Sequence, residues 1–373
     1  MGGWRQVRNG MGRMGKRVVL TVSGLIPADI HEQIASGRRP RADYLELARS
    51  FDAELLDYAS ARTATGLIGR MLSRIGGPNL TMAYACWKAR GKLEAIVTDG
   101  EQIGLPLALL LKFSPGRRPR HMMIVHVLSE PKKTVFLDWL GVQRCIDRFI
   151  TYCSWQHQFI MRRWNLPGSR VVRTPFMVDH HFFAPEQVQP ALPARRQICA
   201  VGLERRDYVT LLRAVEGLDV HVVIAAASPW SKRGDGMAGE RIPDNVTVKK
   251  FTQYELRQLY ADSRFMVMPL EPVNFQAGVT AILECMAMGK AVVCTRVPGQ
   301  TDVVIDGETG RYVPPRDPAA LRKEIERLLD HPEEADRWGA RGRQLIEEEM
   351  NLDRYSQRLS ALLREMLREV QPA

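Results

Sequence analysis

The chain is expected to be an α/β protein of two doubly wound domains, each a parallel sheet covered by helices. Three observations predict this. From residue 17 onward, short apolar strands alternate with amphipathic helical stretches, the pattern of repeated βαβ units. The alternation runs twice. Its interruption, Glu186-Gln-Val-Gln-Pro-Ala-Leu-Pro-Ala-Arg-Arg196, has two prolines and few large apolar groups and reads as a linker. One βαβ unit is complete within residues 265–294. At 373 residues the chain is long enough for two domains that each bury a core.

The elements follow in order. Residues 1–16 are rich in Gly, Arg and Met and read as a flexible basic tail. Gly10-Met-Gly12-Arg-Met-Gly15 spells a dinucleotide-binding pattern, and residues 10–16 nearly spell a phosphate-binding loop. Both need a strand before the glycines. Here the first strand, 17–22, comes afterwards, and Arg17 stands where a Ser or Thr would hold Mg²⁺. Strands at 94–98, 122–127, 148–152 and 171–175 complete the first domain, 17–183. The linker is 184–196. Strands at 197–201, 220–225, 246–250, 265–268 and 291–294 build the second domain, 197–350, and a helix fills most of 351–373. In such sheets ligands bind outside the carboxyl ends of the strands, here in a cleft between facing domains.

Composition narrows the function classes. The chain is 45% hydrophobic and 25% charged, ordinary for a soluble globular protein, but its net charge of +11 favours anionic partners. Dispersed arginines and the lack of a recognised module argue against nucleic acid. Six cysteines without CxxC pairing suggest buried, reduced thiols. With no run long enough to span a bilayer and no signal-peptide core at the N-terminus, a cytoplasmic protein is expected. Residues 66–75 place Leu67, Ile68, Met71, Leu72 and Ile75 on one helical face beside Arg70 and Arg74. The plainer reading packs that face on the first sheet; the other lays it on an anionic bilayer at the inner face of a membrane, presenting a lipid acceptor.

The most informative stretch is Gln276-Ala-Gly-Val-Thr-Ala-Ile-Leu-Glu284-Cys-Met-Ala-Met-Gly-Lys-Ala-Val-Val293. A buried strand ends at Pro269, small residues lead through Gly278 into a helix from about Thr280 to Met288, and Gly289 stops it before the next strand. Free backbone amides and the helix dipole at such a turn favour a phosphate. Glu284, one turn into the helix, can hold vicinal sugar hydroxyls. The arrangement reads as a nucleotide-sugar site.

This segment resembles the donor-site signature of retaining GT-B glycosyltransferases of the family-4 type, the group 1 glycosyl transferases. In that signature two glutamates stand ahead of a Met-Ala-x-Gly-x-Pro-Val-Val run. Glu284 matches the second glutamate, and Gln276 takes the place of the first. Pro298-Gly-Gln-Thr-Asp302 resembles the family's Gly-rich turn, and residues 306–317 its next strand and loop. The similarity is strong over 197–365 and looser over 17–183. It implies the GT-B fold, two Rossmann-like domains, with the C-terminal helix packing back on the first. It also implies hexosyl transfer from a nucleotide sugar, expected to be UDP-linked, to a sugar, lipid or small-molecule hydroxyl.

No Asp-x-Asp occurs in the chain, so no metal or other cofactor is expected, and cations must come from side chains. The turn Gly202-Leu-Glu-Arg205-Arg206-Asp207-Tyr208 offers two; Arg206 is favoured for the diphosphate, against a surface pair with Asp207 capping the next helix. Lys232 is a further diphosphate candidate. Ala277, Gly278, Val279 and Thr280 present backbone amides, with the Thr280 hydroxyl a phosphate contact or N-cap. The resemblance gives Gln276 the donor sugar's hydroxyls, a hydrogen-bonding role without charge. It also gives His126, at a strand end, a reach toward that sugar, with a structural histidine as the alternative. Asp99 and Glu101 each read as an acceptor contact or a helix cap, with capping favoured for Asp99. Lys132 and Lys133 read as a solvated pair, with attraction of an anionic acceptor as the alternative. No fixed general base stands out, and the departing diphosphate itself can take the proton. The competing functions are a phosphorylase, an epimerase, or a non-catalytic nucleotide-sugar-binding subunit.

Overall fold

A computed structural model describes residues 18–189, 196–226 and 240–369. Among them, twelve short strands form two six-stranded parallel sheets. The first holds β1 (Val18–Thr21), β2 (Ala53–Leu56), β3 (Ala95–Asp99), β4 (Arg120–Ile124), β5 (Arg148–Thr151) and β6 (Val171–Arg173). The second holds β7 (Gln197–Val201), β8 (His221–Ala225), β9 (Val246–Lys249), β10 (Phe265–Met268), β11 (Ala291–Thr295) and β12 (Gly310–Val313). The inner strands β1, β4, β5, β10 and β11 are buried along their whole length, as continuous apolar runs in doubly wound sheets require.

The first sheet runs β2-β1-β3-β4-β5-β6 and the second β12-β11-β10-β7-β8-β9. The second is the Rossmann order; the first is the related flavodoxin-like order with one more strand. Each reverses direction once, between β1 and β3 and between β7 and β10. The loops after those strands diverge there, and sheets of this order bind ligands in the crevice at that switch point.

The chain divides into two compact units. One takes the chain up to residue 30, 42–174 and everything from 356; the other takes 31–41 and 175–355. The boundary therefore falls earlier than the expected 183, because Phe182 and Phe183 belong to the second unit's core. Phe183 packs edge-on against Tyr260, and Arg257 lies over Phe182. Arg41 joins residues 31–41 to the same unit through Asp179 and Asp353. Residues from 356 on pack in the first unit, where Ser360 donates to the Ser50 carbonyl at 3.0 Å and Glu369 pairs with Arg148. The tail 1–16 and linker residues 190–195 lie outside the described residues. All six cysteines are free and buried.

Two strands escape a pattern reading. β2, Ala-Glu-Leu-Leu, is a half-exposed edge strand with no apolar run, and β12 is an edge strand within the 306–317 segment. β4 ends at Ile124 rather than 127 because the Glu101 carboxylate takes the amides of His126 and Val127, both at 3.0 Å. Residues 66–75 lie inside a longer helix, Tyr58–Ala89, broken at Gly66 (φ 58°) and Gly77 (φ 72°). The plainer reading of their apolar face fails: Leu67, Ile68, Met71 and Ile75 are exposed.

Candidate active site

In the second unit, the loops after β7 and β10 meet at the crevice. They are tied by backbone hydrogen bonds: Asp207 donates to the Pro269 carbonyl at 3.1 Å and Glu271 to that of Arg205 at 3.0 Å. Arg205 takes a left-handed backbone, φ 58°, which turns its side chain toward Glu271 at 3.3 Å, half-exposed. Arg206 consequently turns inward and is only 8% exposed. Its Nε donates to the Val201 carbonyl at 3.0 Å and its Nη1 to that of Glu204 at 2.6 Å. No carboxylate of the described residues forms an ion pair with it. Burial lowers its pKa, against the opposing effects of Tyr208, Cys294, Tyr260 and Glu204 nearby, yet arginine stays charged.

The guanidinium lies against two glycine turns. A Cβ on Gly202 (φ +104°) would come within 2.3 Å of its Nη2, and one on Gly278 (φ +78°) within 3.2 Å. Side chains at either position would crowd the cation out. Gly278 is also the N-cap of the helix Val279–Ala287, with no side chain capping it, so the first-turn amides beside Arg206 are left without intrahelical acceptors. A buried cation bonded only to carbonyls, at an uncapped helix head, is suited to meeting an anion.

The expected donor residues fall as follows. Ala277 is buried, and its carbonyl accepts from Gln300 Nε2 at 3.1 Å. Val279 is the first helical residue, and Thr280, exposed and one position further on, is not the N-cap. Gln276 is half-buried, and its carbonyl accepts weakly from the Val279 amide at 3.4 Å. Lys232 lies outside the described residues. Arg205 stands beside Arg206 in an ion pair of its own with Glu271.

Glu284 is 5% exposed, so it is not a solvated helix carboxylate. Its Oε2 accepts from the Tyr260 hydroxyl at 2.8 Å. Burial pushes its pKa up to about 7, against the Tyr260 hydrogen bond, which favours the carboxylate. One oxygen remains to accept from a ligand. The helix rise places Glu284 roughly 7 Å along the axis from Val279, comparable to the separation of phosphates and ribose hydroxyls in a nucleoside diphosphate.

Gln300 and Gly299 were not singled out from sequence, although they lie in the Pro298–Asp302 turn. Gly299 crosses the backbone of Phe275 so closely that a Cβ would sit 2.2 Å from its nitrogen, and its amide donates to the Val273 carbonyl at 3.1 Å. Gly299→Ala is accordingly expected to lower stability by roughly 1–3 kcal/mol, read by denaturant unfolding, because backbone must move to admit the methyl.

In the first unit the crevice lies beside the end of β3. Ser23, just past β1, donates to the Asp99 carbonyl at 2.7 Å. Asp99 does not cap the following helix, Glu101–Lys112, whose N-cap is Gly100 with no side-chain bond. Its Oδ1 pairs instead with His126 Nε2 at 3.0 Å, and both side chains remain more than a third exposed. Burial lowers the His126 pKa, but the Asp99 hydrogen bond and the charges of Asp99, Glu101 and Asp43 together raise it to about 9. Asp43 is itself pushed up to about 6, by burial and then by Asp99.

Glu101 is buried, and both oxygens are engaged by the His126 and Val127 amides and by Lys133 Nζ at 2.7 Å. Burial favours its neutral form, yet Lys133 and His126 hold its pKa below the usual carboxylate range. It is a strut that positions His126, leaving Asp99 as the accessible carboxylate. Lys133 is likewise not a solvated lysine but the partner of Glu101 and Glu130. Gln156, buried, donates to the His126 carbonyl at 2.6 Å and completes the clamp.

Because the folded-state pKa of His126 lies above its ordinary value, the Asp99–His126 pair contributes stability that is complete below about pH 6.5 and lost as pH rises through about 9. The stability advantage of wild type over Asp99→Asn is expected to narrow as thermal unfolding is followed from pH 6.5 to 9.5. An NMR titration should place the His126 midpoint near 9 in wild type and markedly lower in the variant.

Among the described residues one group could hold a metal ion: His180, His181 and Asp353. Arg41 already engages both Asp353 oxygens, at 2.8 and 3.1 Å, and a dication there would face that guanidinium. The group lies outside both crevice loops.

Residues 199–331 match the family model described as glycosyl transferases group 1. Over that segment, about a third of the chain, the protein is similar to the group 1 glycosyl transferases. Alpha-D-kanosaminyltransferase of Streptomyces kanamyceticus is 27% identical over 225 residues, 55% of this chain and 57% of that protein. D-rhamnosyltransferase WbpZ of Pseudomonas aeruginosa is 34% identical over 145 residues, 36% and 37% of the two. The match thus spans little more than half of the first relative and about a third of the second. Sucrose-phosphate synthase from Thermosynechococcus elongatus superposes with a TM-score of 0.66 at 16% identity, covering 94% of this chain and 99% of that one. Anabaena Alr3699/HepE, solved in complex with UDP-glucose, gives 0.70 at 11% identity, covering 94% and 100%. The fold of the chain is therefore GT-B.

Proposed function

We propose that this protein transfers a hexose from a nucleoside-diphosphate sugar, UDP-linked, to a hydroxyl acceptor, without a divalent metal and with retention at the anomeric carbon. The observation that carries the reading is Arg206: a buried guanidinium bonded to carbonyls and set against Gly202 and Gly278 at an uncapped helix head. Such a charge is poorly compensated by the protein and well compensated by a diphosphate. Arg206 and the amides of Val279 and Thr280 bind the leaving diphosphate, Glu284 binds the ribose, and Gln276 contacts the sugar. The names of the curated relatives, both sugar transferases, and the UDP-sugar complex of a structural neighbour support the class.

His126, charged at neutral pH by its pairing with Asp99, serves as a hydrogen-bond donor rather than a base. Asp99 accepts from the acceptor hydroxyl. The acceptor oxygen bonds to the anomeric carbon as the bond to the diphosphate breaks, and the acceptor's proton passes to the departing phosphate oxygen. The acceptor is a sugar, lipid or small-molecule alcohol.

The test is turnover. The protein, incubated in EDTA with UDP-, GDP- and ADP-sugars, is expected to release sugar slowly from one of them, and NMR of the first product should show the donor's anomeric configuration. Nucleotide binding with no release from any donor would instead identify a non-catalytic sugar-nucleotide-binding subunit, the reading that Gln276 in a glutamate's place favours.

A further inference from the structure

Twelve large hydrophobic side chains are exposed among the described residues, and four of them fall within nine positions: Leu67 (75% exposed), Ile68 (50%), Met71 (57%) and Ile75 (74%). Their spacing puts them within about 100° of one face of the helical segment between Gly66 and Gly77. The opposite face is the one that packs. Gly69 is buried there, its carbonyl accepting from Thr81 Oγ1 at 3.1 Å. The positive-φ glycines on either side let the segment fold against the helix's last part. Its apolar stripe is left facing away from the core.

The charge around this stripe has one sign. From Tyr58 to Leu93 the chain holds no Asp or Glu, whereas Arg62, Arg70, Arg74, Lys88, Arg90 and Lys92 are all cationic. Arg70 and Arg74 are exposed and border the stripe on one side. A protein partner would need an acidic rim around an apolar groove; a lipid surface supplies both properties over any area.

We infer that residues 67–75 dock the protein on an anionic lipid bilayer, with Leu67, Ile68, Met71 and Ile75 entering the headgroup–acyl boundary and Arg70 and Arg74 meeting lipid phosphates. The attachment is peripheral, since no helix of the described residues is long and apolar enough to cross a membrane. It stands on these residues alone and does not depend on the donor-site reading.

The experiment is co-sedimentation of the full chain with phosphatidylcholine vesicles and with vesicles that also contain phosphatidylglycerol. Wild type should bind the anionic vesicles about ten-fold or more in excess of the neutral ones, and added salt should weaken binding. Leu67→Ser/Ile75→Ser should reduce the partition coefficient about ten-fold or more, and Arg70→Gln/Arg74→Gln should remove the preference for anionic lipid. All four positions are exposed, so unchanged melting temperatures are expected. Failure of wild type to sediment with anionic vesicles would overturn the inference, as would undiminished binding by both double variants, which would transfer it to the basic residues at the N-terminus. A wild-type dimer that Leu67→Ser/Ile75→Ser dissociates, with no vesicle binding, would assign the face to a second copy of the chain.

Discussion

Arg206→Ala is expected to lower kcat/KM for the donor by about 100- to 1,000-fold, the range found when one fixed donor to a developing negative charge is removed. The effect is large because the cation is buried and preorganised. Its Nε and Nη1 are committed to the Val201 and Glu204 carbonyls, which fixes the plane of the guanidinium, and the two glycine turns leave its Nη2 edge open to an anion. Arg206→Lys keeps the charge but not the fork, so it should recover only part of the loss. Arg205→Ala supplies the comparison. That side chain is half-exposed and already paired with Glu271, and its loss should cost less than about ten-fold. Steady-state kinetics on the three variants, with UDP affinity measured alongside, separates the two arginines. Equal losses at both positions would mean that the loop acts as a diffuse basic surface.

Glu284→Gln carries the second large effect, and it has opposite signs for binding and stability. Burial raises the folded-state pKa of Glu284 from an ordinary 4.5 to about 7. For a carboxyl group shifted upward, folding is penalised by the ionised form: the penalty is absent below about pH 4.5 and complete above about pH 7. At pH 8 the glutamine variant should therefore be more stable than wild type, by roughly 2–3 kcal/mol as an upper range, with the difference vanishing near pH 4.5. Nucleotide binding should move the other way. The ionised carboxylate is the better acceptor for ribose hydroxyls, so wild-type affinity for UDP should fall as pH drops below 7, by at most about ten-fold per unit. The variant should bind weakly at every pH, without that slope. Stability curves and calorimetric titrations over the same pH range check both halves. A variant that loses stability and binding together would reduce Glu284 to a packing residue.

Much of the second unit was legible because its signals are local. A buried parallel strand is an apolar run, and Phe265–Met268 is bounded by Pro269 on one side and by a charged residue on the other. The helix after it is stopped by Gly289, whose positive φ, 67°, suits a glycine. Which of two adjacent arginines enters the core was a different matter. It depends on the left-handed backbone of Arg205, and no residue type in the loop announces that. Tyr260 and Gln300 act across 24 and 23 residues of sequence, on Glu284 and on the Ala277 carbonyl, and such contacts leave no mark on the local pattern.

The first unit shows the same limit. Asp99 and Glu101 follow a strand and precede a helix, where an acid usually caps. The structure gives Asp99 to His126 and Glu101 to two amides and a lysine, all contributed from 25 or more residues away. Amphipathicity located the stripe at 67–75 but not the side that packs. That is decided by Gly69, whose lack of a side chain lets the segment close on Thr65 and Thr81.

The central claim is that Arg206 and the uncapped helix head form a diphosphate site that works without a metal. Calorimetric titration of UDP into wild type and Arg206→Ala, in EDTA and again with excess Mg²⁺, tests it most directly. The account predicts binding to wild type that is the same with and without Mg²⁺ and is weakened about 100-fold or more in a variant that remains folded. Binding that appears only on addition of Mg²⁺, or that survives unchanged in Arg206→Ala, would contradict it.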